Sequence, residues 1–222
     1  MKKIGNWYHL KYQISDLNGD QILKDISLSK LKKESEILII DDEEFTLLDD
    51  LKKHEFSIEY KSDITSLKDV EQYPIILCDI HGVGKFLGSS KEGAYLVYLI
   101  KEKYPSKVVI SYTADTTSPD SQKYLHYADN VIPKGTSIED WASLLNDAIK
   151  NISNPVNVWK KIQLELIKAN VSTRDIACLE DGYVKAIKKG EFDSLKKLNQ
   201  GESGIVASII EIAIHSLIKI LK

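Results

Sequence analysis

Ile37-Leu38-Ile39-Ile40-Asp41-Asp42-Glu43 is an apolar run of strand length that stops abruptly in adjacent carboxylates. A strand buried on both faces, as in a parallel sheet, reads as such an unbroken apolar run, and polar chemistry is confined to its end. Two neighbouring carboxylates at a strand end repel each other unless a cation sits beside them. An oxygen-only donor set suits a hard ion such as Mg²⁺.

Outward from this stretch, the chain alternates strand-like and helix-like segments. Strands are expected at 36–41, 56–60, 74–79, 107–113 and 130–134, with helices near 44–54, 63–71, 91–104, 118–127 and 138–151. Short strands alternating with helices imply right-handed β-α-β crossovers and a parallel sheet covered on both faces. The fold class expected is α/β: a flavodoxin-like, doubly wound, five-stranded parallel sheet of order 2-1-3-4-5. Its binding crevice lies at the carboxyl ends of the strands.

The flanks read differently. Trp7–Ser15 and Gln21–Leu28 are β-prone runs on either side of Leu17-Asn18-Gly19-Asp20, which predicts an N-terminal β-hairpin within residues 1–35. Asn151-Ile152-Ser153-Asn154-Pro155 reads as a linker after a domain at 36–151. Residues 152–222 form an α-helical C-terminal region for output or dimerisation, with helices at 156–169, 173–189 and 203–221. The last of these leaves a narrow polar stripe, Ser208, Glu211, His215 and Lys219, which argues against a membrane anchor and for a packed or dimerising helix.

Composition excludes little. With 222 residues, 43% hydrophobic, 28% charged and a formal net charge of -3, the chain is an ordinary globular one with room for a domain and a smaller companion. Lys and Arg exceed Asp and Glu by 11 to 8 in residues 155–222 but fall short by 19 to 25 elsewhere, which is no strong nucleic-acid signature. Cys78 and Cys178 have no metal-ligand spacing, and the N-terminus lacks the apolar core of a signal peptide, so a reduced, cytoplasmic setting is expected. Cys78 falls in a buried strand, where thiols are inert.

The strand ends hold complementary chemistry: Asp41 and Asp42 at the first, Asp79 at the third, Thr113 at the fourth and Lys134 at the fifth. Such an acidic cluster binds Mg²⁺, the central aspartate is a possible nucleophile toward phosphorus, and a lysine ammonium with a threonine hydroxyl suits phosphoryl oxygens. This set, Asp41-Asp42, Asp79, Thr113-Ala114 and Lys134, resembles the receiver domain of bacterial two-component response regulators over residues 36–151. The resemblance implies that Asp79 is the phosphoacceptor and that Asp42, Asp79 and the main-chain carbonyl of His81 ligate Mg²⁺. Asp41 would act on the metal mainly through water, and Thr113 and Lys134 would hold the phosphoryl group. It implies a histidine kinase or phosphotransfer protein as donor and a switch rather than an enzyme with turnover; the apolar last helix separately suggests a homodimer through the C-terminal helices, or release of a partner, as the output.

The sequence also departs from that family. Ile80-His81-Gly82-Val83-Gly84 replaces the methionine-proline that usually follows the acceptor, and residues 84–92 lengthen the next loop. Gly135 stands where a proline is common, and Val131 where an aromatic residue is usual, so threonine–aromatic coupling is in question. Glycines 82, 84 and 88 lack the lysine-serine ending of a nucleotide loop, and His81 reads as a loop histidine whose backbone matters. Two rival readings belong to other classes. One is a DNA-binding regulator with a divergent helix-turn-helix over Val171–Ile187, disfavoured by its spacing, and the other is a phosphate-independent scaffold. A Mg²⁺-dependent hydrolase is weaker, because only His81 is near in sequence to serve as a general acid.

Overall fold

The runs read as buried strands come together in one sheet. In the computed structural model, which describes residues 10–87, 92–114, 123–196, 198 and 204–222 apart from the side chains of Ile205, Ile212 and Ser216, the chain begins with α1 (Gly19–Lys24) and α2 (Leu28–Glu34). It continues through β1 (Ile37–Ile40), α3 (Leu48–Lys53), β2 (Ile58–Lys61), β3 (Ile75–Asp79), α4 (Glu92–Lys103), β4 (Val108–Thr113) and β5 (Asn130–Pro133). Then follow α5 (Ile138–Ser153), α6 (Pro155–Lys168), α7 (Thr173–Lys189), α8 (Phe192–Leu195) and α9 (Gly204–Leu221).

All strand pairs are parallel and the order is β2-β1-β3-β4-β5, the flavodoxin-like topology expected. The three central strands are buried throughout, which explains their unbroken apolar reading, whereas the edge strands β2 and β5 are half-buried or exposed. The register pairs Ile40 with Cys78 and Asp79 with Tyr112, so β1, β3 and β4 end at one level and deliver their last side chains to the same edge. Gly93 and Ala94 of α4 are buried and bring the start of that helix close to the end of β3.

Contacts divide the chain into Ile26–Ile152 and a second unit made of Met1–Asp25 with Ser153–Lys222, a different partition from 1–35, 36–151 and 152–222. The predicted N-terminal β-hairpin is corrected: residues 10–35 contain no strand. Asn18 caps α1 by accepting from Gln21 N at 3.0 Å, so Asn-Gly here starts a helix instead of turning a hairpin. The alternating apolar residues before it, Tyr12, Ile14 and Leu17, pack with Ile22 on the helical core of their own unit. Asp181 Oδ1 on α7 accepts from Lys11 N at 2.6 Å and Tyr12 N at 2.9 Å, and Glu180 Oε1 accepts from Ile14 N at 2.7 Å. Carboxylates thus satisfy backbone donors that a hairpin would have paired with a second strand.

Two other expectations change, and the disfavoured helix-turn-helix fails. The segment 63–71 forms only a 3₁₀ turn, Leu67–Val70, capped by Ser66 and Asp69. The linker at 151–155 shrinks to one residue: α5 runs to Ser153, and Asn154 Oδ1 caps α6 through Val156 N at 3.0 Å and Asn157 N at 3.4 Å, with Pro155 in the first turn. The helix-turn-helix over Val171–Ile187 is not formed, because Thr173–Lys189 is one uninterrupted helix whose apolar face, including Ile176, Leu179, Tyr183 and Ile187, is buried. Most of the helix expected at 118–127 lies outside the described residues. The polar stripe Ser208, Glu211, His215 and Lys219 is exposed, as its helical spacing required, and no helix among the described residues is long and apolar enough to cross a membrane. Cys78 is buried, Cys178 is exposed, and both are free thiols.

Candidate functional site

Parallel strands that end together make a row of termini, and here the row is polar. Asp41 follows β1, with its N–H donating to Lys61 O at 3.1 Å. Asp79 ends β3 and Thr113 ends β4. Lys134 follows β5, and its N–H donates to Thr113 O at 3.0 Å.

The side chains converge on Lys134. Its Nζ lies 2.6 Å from Asp79 Oδ2, 3.5 Å from Glu43 Oε2 and 3.8 Å from Asp41 Oδ1. Asp79 and Asp41 are only 1% and 2% exposed, so two carboxylates out of water share one ammonium. Burial works to lower the Lys134 pKa, but the hydrogen bond and charge of Asp79, with Asp41 and Glu43, outweigh it and raise the net value. The second Asp79 oxygen accepts from His81 N at 3.3 Å, while the His81 ring is exposed.

Asp41 is the most constrained of the acids. Its Oδ1 accepts from Glu43 N at 3.0 Å, and its Oδ2 accepts from the buried Tyr112 hydroxyl at 2.8 Å. The Tyr60 hydroxyl holds the same loop by its main chain, donating to Asp41 O at 2.6 Å and Glu43 O at 2.8 Å. Burial, with the charge of Asp41, pushes the Tyr112 phenol far up and favours the neutral hydroxyl that donates to Asp41. Asp42 points outward, with Lys85 Nζ at 3.5 Å in an exposed pairing that contributes little to stability. The loop after Asp79 passes close by: a Cβ on Gly82, whose φ is +75°, would fall 2.0 Å from the Asp42 carboxylate oxygens. Gly82 N donates to Glu92 Oε2 at 2.7 Å and Gly84 N to Asp63 Oδ1 at 2.6 Å, which fixes that loop beside the acids.

Asp41, Asp42 and Asp79 each place an oxygen within 4.8 Å of the others. Octahedral Mg²⁺ holds direct oxygens at about 2.1 Å, hence about 3.0 Å apart when adjacent and about 4.2 Å when opposite. The spread therefore suits one or two direct carboxylates and a third reached through water. The donors are all hard oxygens, which fits Mg²⁺ and disfavours softer ions.

Burial raises the Asp41 carboxyl above its ordinary 3.8, against the pull of Glu43 N, Tyr112 and Lys134. A carboxyl raised on folding contributes stability below 3.8 that is lost as pH rises through its folded value. Mg²⁺ needs the ionised form, so its stabilising effect grows across the same window. The increase in melting temperature on adding Mg²⁺ is expected to be smaller near the ordinary carboxyl value of 3.8 than at pH 7. Equal increases at both would mean that Asp41 does not titrate against the ion.

Of the residues singled out by sequence, the structure brings together Asp41, Asp42, Asp79 and Lys134, and places Thr113 and His81 on the adjoining strand end and loop. Val131 is exposed on β5. Sequence reasoning missed Glu43, Tyr60, Tyr112 and Lys85. A hydroxyl-bearing aromatic beside Thr113 in a fully buried strand was the available signal for Tyr112.

No family model matches the chain, and no curated protein does. Solved structures resemble it. A CheY-like response regulator receiver domain protein from Methanospirillum hungatei is 21% identical over 52% of this chain and 93% of its own, with a TM-score of 0.42. The chemotaxis protein CheY4 of Vibrio cholerae is 16% identical over 51% and 98%, with a TM-score of 0.41. A response regulator from Burkholderia pseudomallei, solved with a phosphorylated aspartic acid and a calcium ion, is 22% identical over 69% and 92%, with a TM-score of 0.40.

Proposed function

We propose that Ile26–Ile152 is a phosphoryl-accepting switch of a two-component pathway, with Asp79 as the acceptor. The observation that carries this reading is the Lys134 ammonium 2.6 Å from Asp79 Oδ2 in a pocket of three carboxylates at one level of a parallel sheet. A lone buried acid–lysine pair would be structural. The further acids crowd negative charge beside that pair and repel each other, which favours a further cation.

An Asp79 oxygen attacks phosphorus in line, the bond from phosphorus to the donor breaks, and its electron pair leaves on the donor. The donor is the phosphohistidine imidazole of a histidine kinase or phosphotransfer protein, or the acetate of acetyl phosphate. Asp79 is too enclosed to be reached while Lys134 covers Oδ2, so the ammonium must exchange that oxygen for a phosphoryl oxygen. This keeps it paired and neutralises the charge that arrives. Asp41, Asp42, Asp79 and the His81 carbonyl would hold Mg²⁺, which supplies further charge neutralisation on the phosphoryl oxygens. Thr113, on the strand end next to Asp79, would donate its hydroxyl to the same group. The chain in this reading is a phosphoacceptor in the cytosol rather than an enzyme with turnover, and its output is association or release through the helices of 153–222.

The test is intact-mass spectrometry after incubation with acetyl phosphate and Mg²⁺, run beside Asp79→Asn. One phosphoryl adduct on the parent protein and none on Asp79→Asn is the expected result. An adduct on both would sink the choice of acceptor. An adduct on neither, in a protein that binds no Mg²⁺, would leave a phosphate-independent scaffold.

A further inference from the structure

Tyr112 sits where the acidic site meets the packed interior. Its hydroxyl donates to Asp41 Oδ2 at 2.8 Å, reaching from β4 past the end of β3 to the end of β1. The ring stands edge-on to Phe45 at 5.4 Å and to Trp141 at 5.7 Å, and Phe45 and Trp141 meet at 5.6 Å, so the three rings close a triangle. Phe45 belongs to the loop that carries Asp41 and Asp42, and Trp141 is a fully buried residue of α5. The Trp141 indole N–H has no hydrogen-bond partner among the described residues, so ring packing holds this side chain.

We propose that Tyr112 is a positioning residue for the cation site: it holds one oxygen of Asp41, turns the other toward the cation and Lys134, and couples the site to Trp141. With Oδ2 tied to a rigid phenol, Asp41 can turn toward an ion only by moving that ring or stretching the bond. The bond thereby makes any turn of the carboxylate toward an ion a movement of the Tyr112 ring as well. A displaced Tyr112 ring cannot move independently, because edge-to-face contacts with Phe45 and Trp141 are close-packed. Occupancy beside Asp41 is thus felt at α5 through two side chains, and Val131 on β5 plays no part in it. The inference rests on the proposed metal-assisted phosphoryl acceptance, and its test separates the two.

The experiment uses the full chain labelled with 5-fluorotryptophan, which gives one fluorine resonance each for Trp7, Trp141 and Trp159, that of Trp141 being assigned by its loss in Trp141→Phe. Mg²⁺ alone is titrated into the parent protein and into Tyr112→Phe, which keeps the ring and removes the hydroxyl. Loss of an outer partner of a metal-ligating group commonly weakens binding about 10-fold to 100-fold, and at least tenfold is expected here. In the parent the Trp141 resonance shifts with Mg²⁺, and in Tyr112→Phe it stays put even at saturation, which a merely structural role would not produce. Phe45→Leu, which leaves the Tyr112–Asp41 hydrogen bond alone, tests the ring packing and is expected to shrink the Trp141 shift while changing affinity less. Parent-like affinity and a parent-like Trp141 shift in Tyr112→Phe would overturn the proposal while leaving phosphoryl acceptance standing. Parent protein that binds Mg²⁺ and shifts Trp141 yet takes no phosphoryl group overturns the proposed function alone. No Mg²⁺ binding by the parent overturns both.

Discussion

Gly93→Ala is expected to lower the stability of the Ile26–Ile152 unit by about 2–3 kcal/mol, in spite of replacing glycine by the best helix former. A Cβ at this position would lie 2.0 Å from Asp79 O, 2.8 Å from Ile80 Cα and 2.9 Å from Val83 Cγ2. Two of those atoms are backbone at the end of β3, so no side-chain rotation relieves the clash. The first turn of α4 would have to withdraw by about 1.4 Å to reach ordinary contact, prying Ala94, Leu96 and Val97 from the sheet they cover. The gain in helix propensity, about 1 kcal/mol, is smaller than such overpacking costs. Thermal unfolding followed by circular dichroism should show the melting temperature of this unit falling by about 4–12 °C. Gly135→Ala is the control, because a Cβ there meets nothing within 4 Å, and it should melt as the parent does. If Gly93→Ala melted with the control, the close approach of α4 to the end of β3 would be wrong.

That close approach also shows what sequence could and could not reveal. Ile37–Ile40 and Ile75–Leu77 were legible as strands because burial on both faces leaves no polar residue to blur the run, and their acidic ends stood out for the same reason. The acids and Lys134 were legible as a group because a doubly wound sheet must bring its strand ends together. The hairpin was misread because Tyr12, Ile14 and Ile22 have the same spacing whether they line a strand or cover helices, and Asn18 favours both turns and helix N-termini. Only the distant carboxylates of Glu180 and Asp181 decide between them, and their pairing with Ile14 and Tyr12 spans 166 and 169 residues. Tyr112 escaped for a similar reason: its partner, Asp41, is 71 residues away, and nothing local says which strand end a phenol will reach. Periodicity reports which residues are buried, while the partners of buried polar atoms are set by topology.

Lys134→Met is expected to separate metal binding from phosphoryl acceptance by moving them in opposite directions. In the parent the ammonium stands among Asp79, Glu43 and Asp41 at 2.6, 3.5 and 3.8 Å. Removing it leaves the Asp41 and Asp79 carboxylates, with oxygens within 4.8 Å, uncompensated. At that separation two unit charges repel by about 3 kcal/mol at an effective dielectric of about 20. Lys134 is 30% exposed and solvent already screens part of its charge, so a loss of about 1–2 kcal/mol without Mg²⁺ is the better expectation. Mg²⁺ should bind at least tenfold more tightly to the variant, because a divalent ion no longer competes with a fixed cation for the same oxygens, and it should restore the lost stability. Acceptance from acetyl phosphate should nevertheless slow by about 100-fold or more, since the phosphoryl oxygen that Lys134 would take up loses its charged donor. Lys134→Arg keeps the charge, but its planar fork is too wide for the point between Asp79 and Asp41, so it should fall between parent and methionine in rate. Calorimetric Mg²⁺ titration and timed intact-mass spectrometry on the same samples measure both quantities. Weaker Mg²⁺ binding in Lys134→Met would mean that the lysine shapes the metal site instead of competing with it. A rate within a few-fold of the parent would remove Lys134 from the transfer step and return it to the role of a counterion to the buried acids.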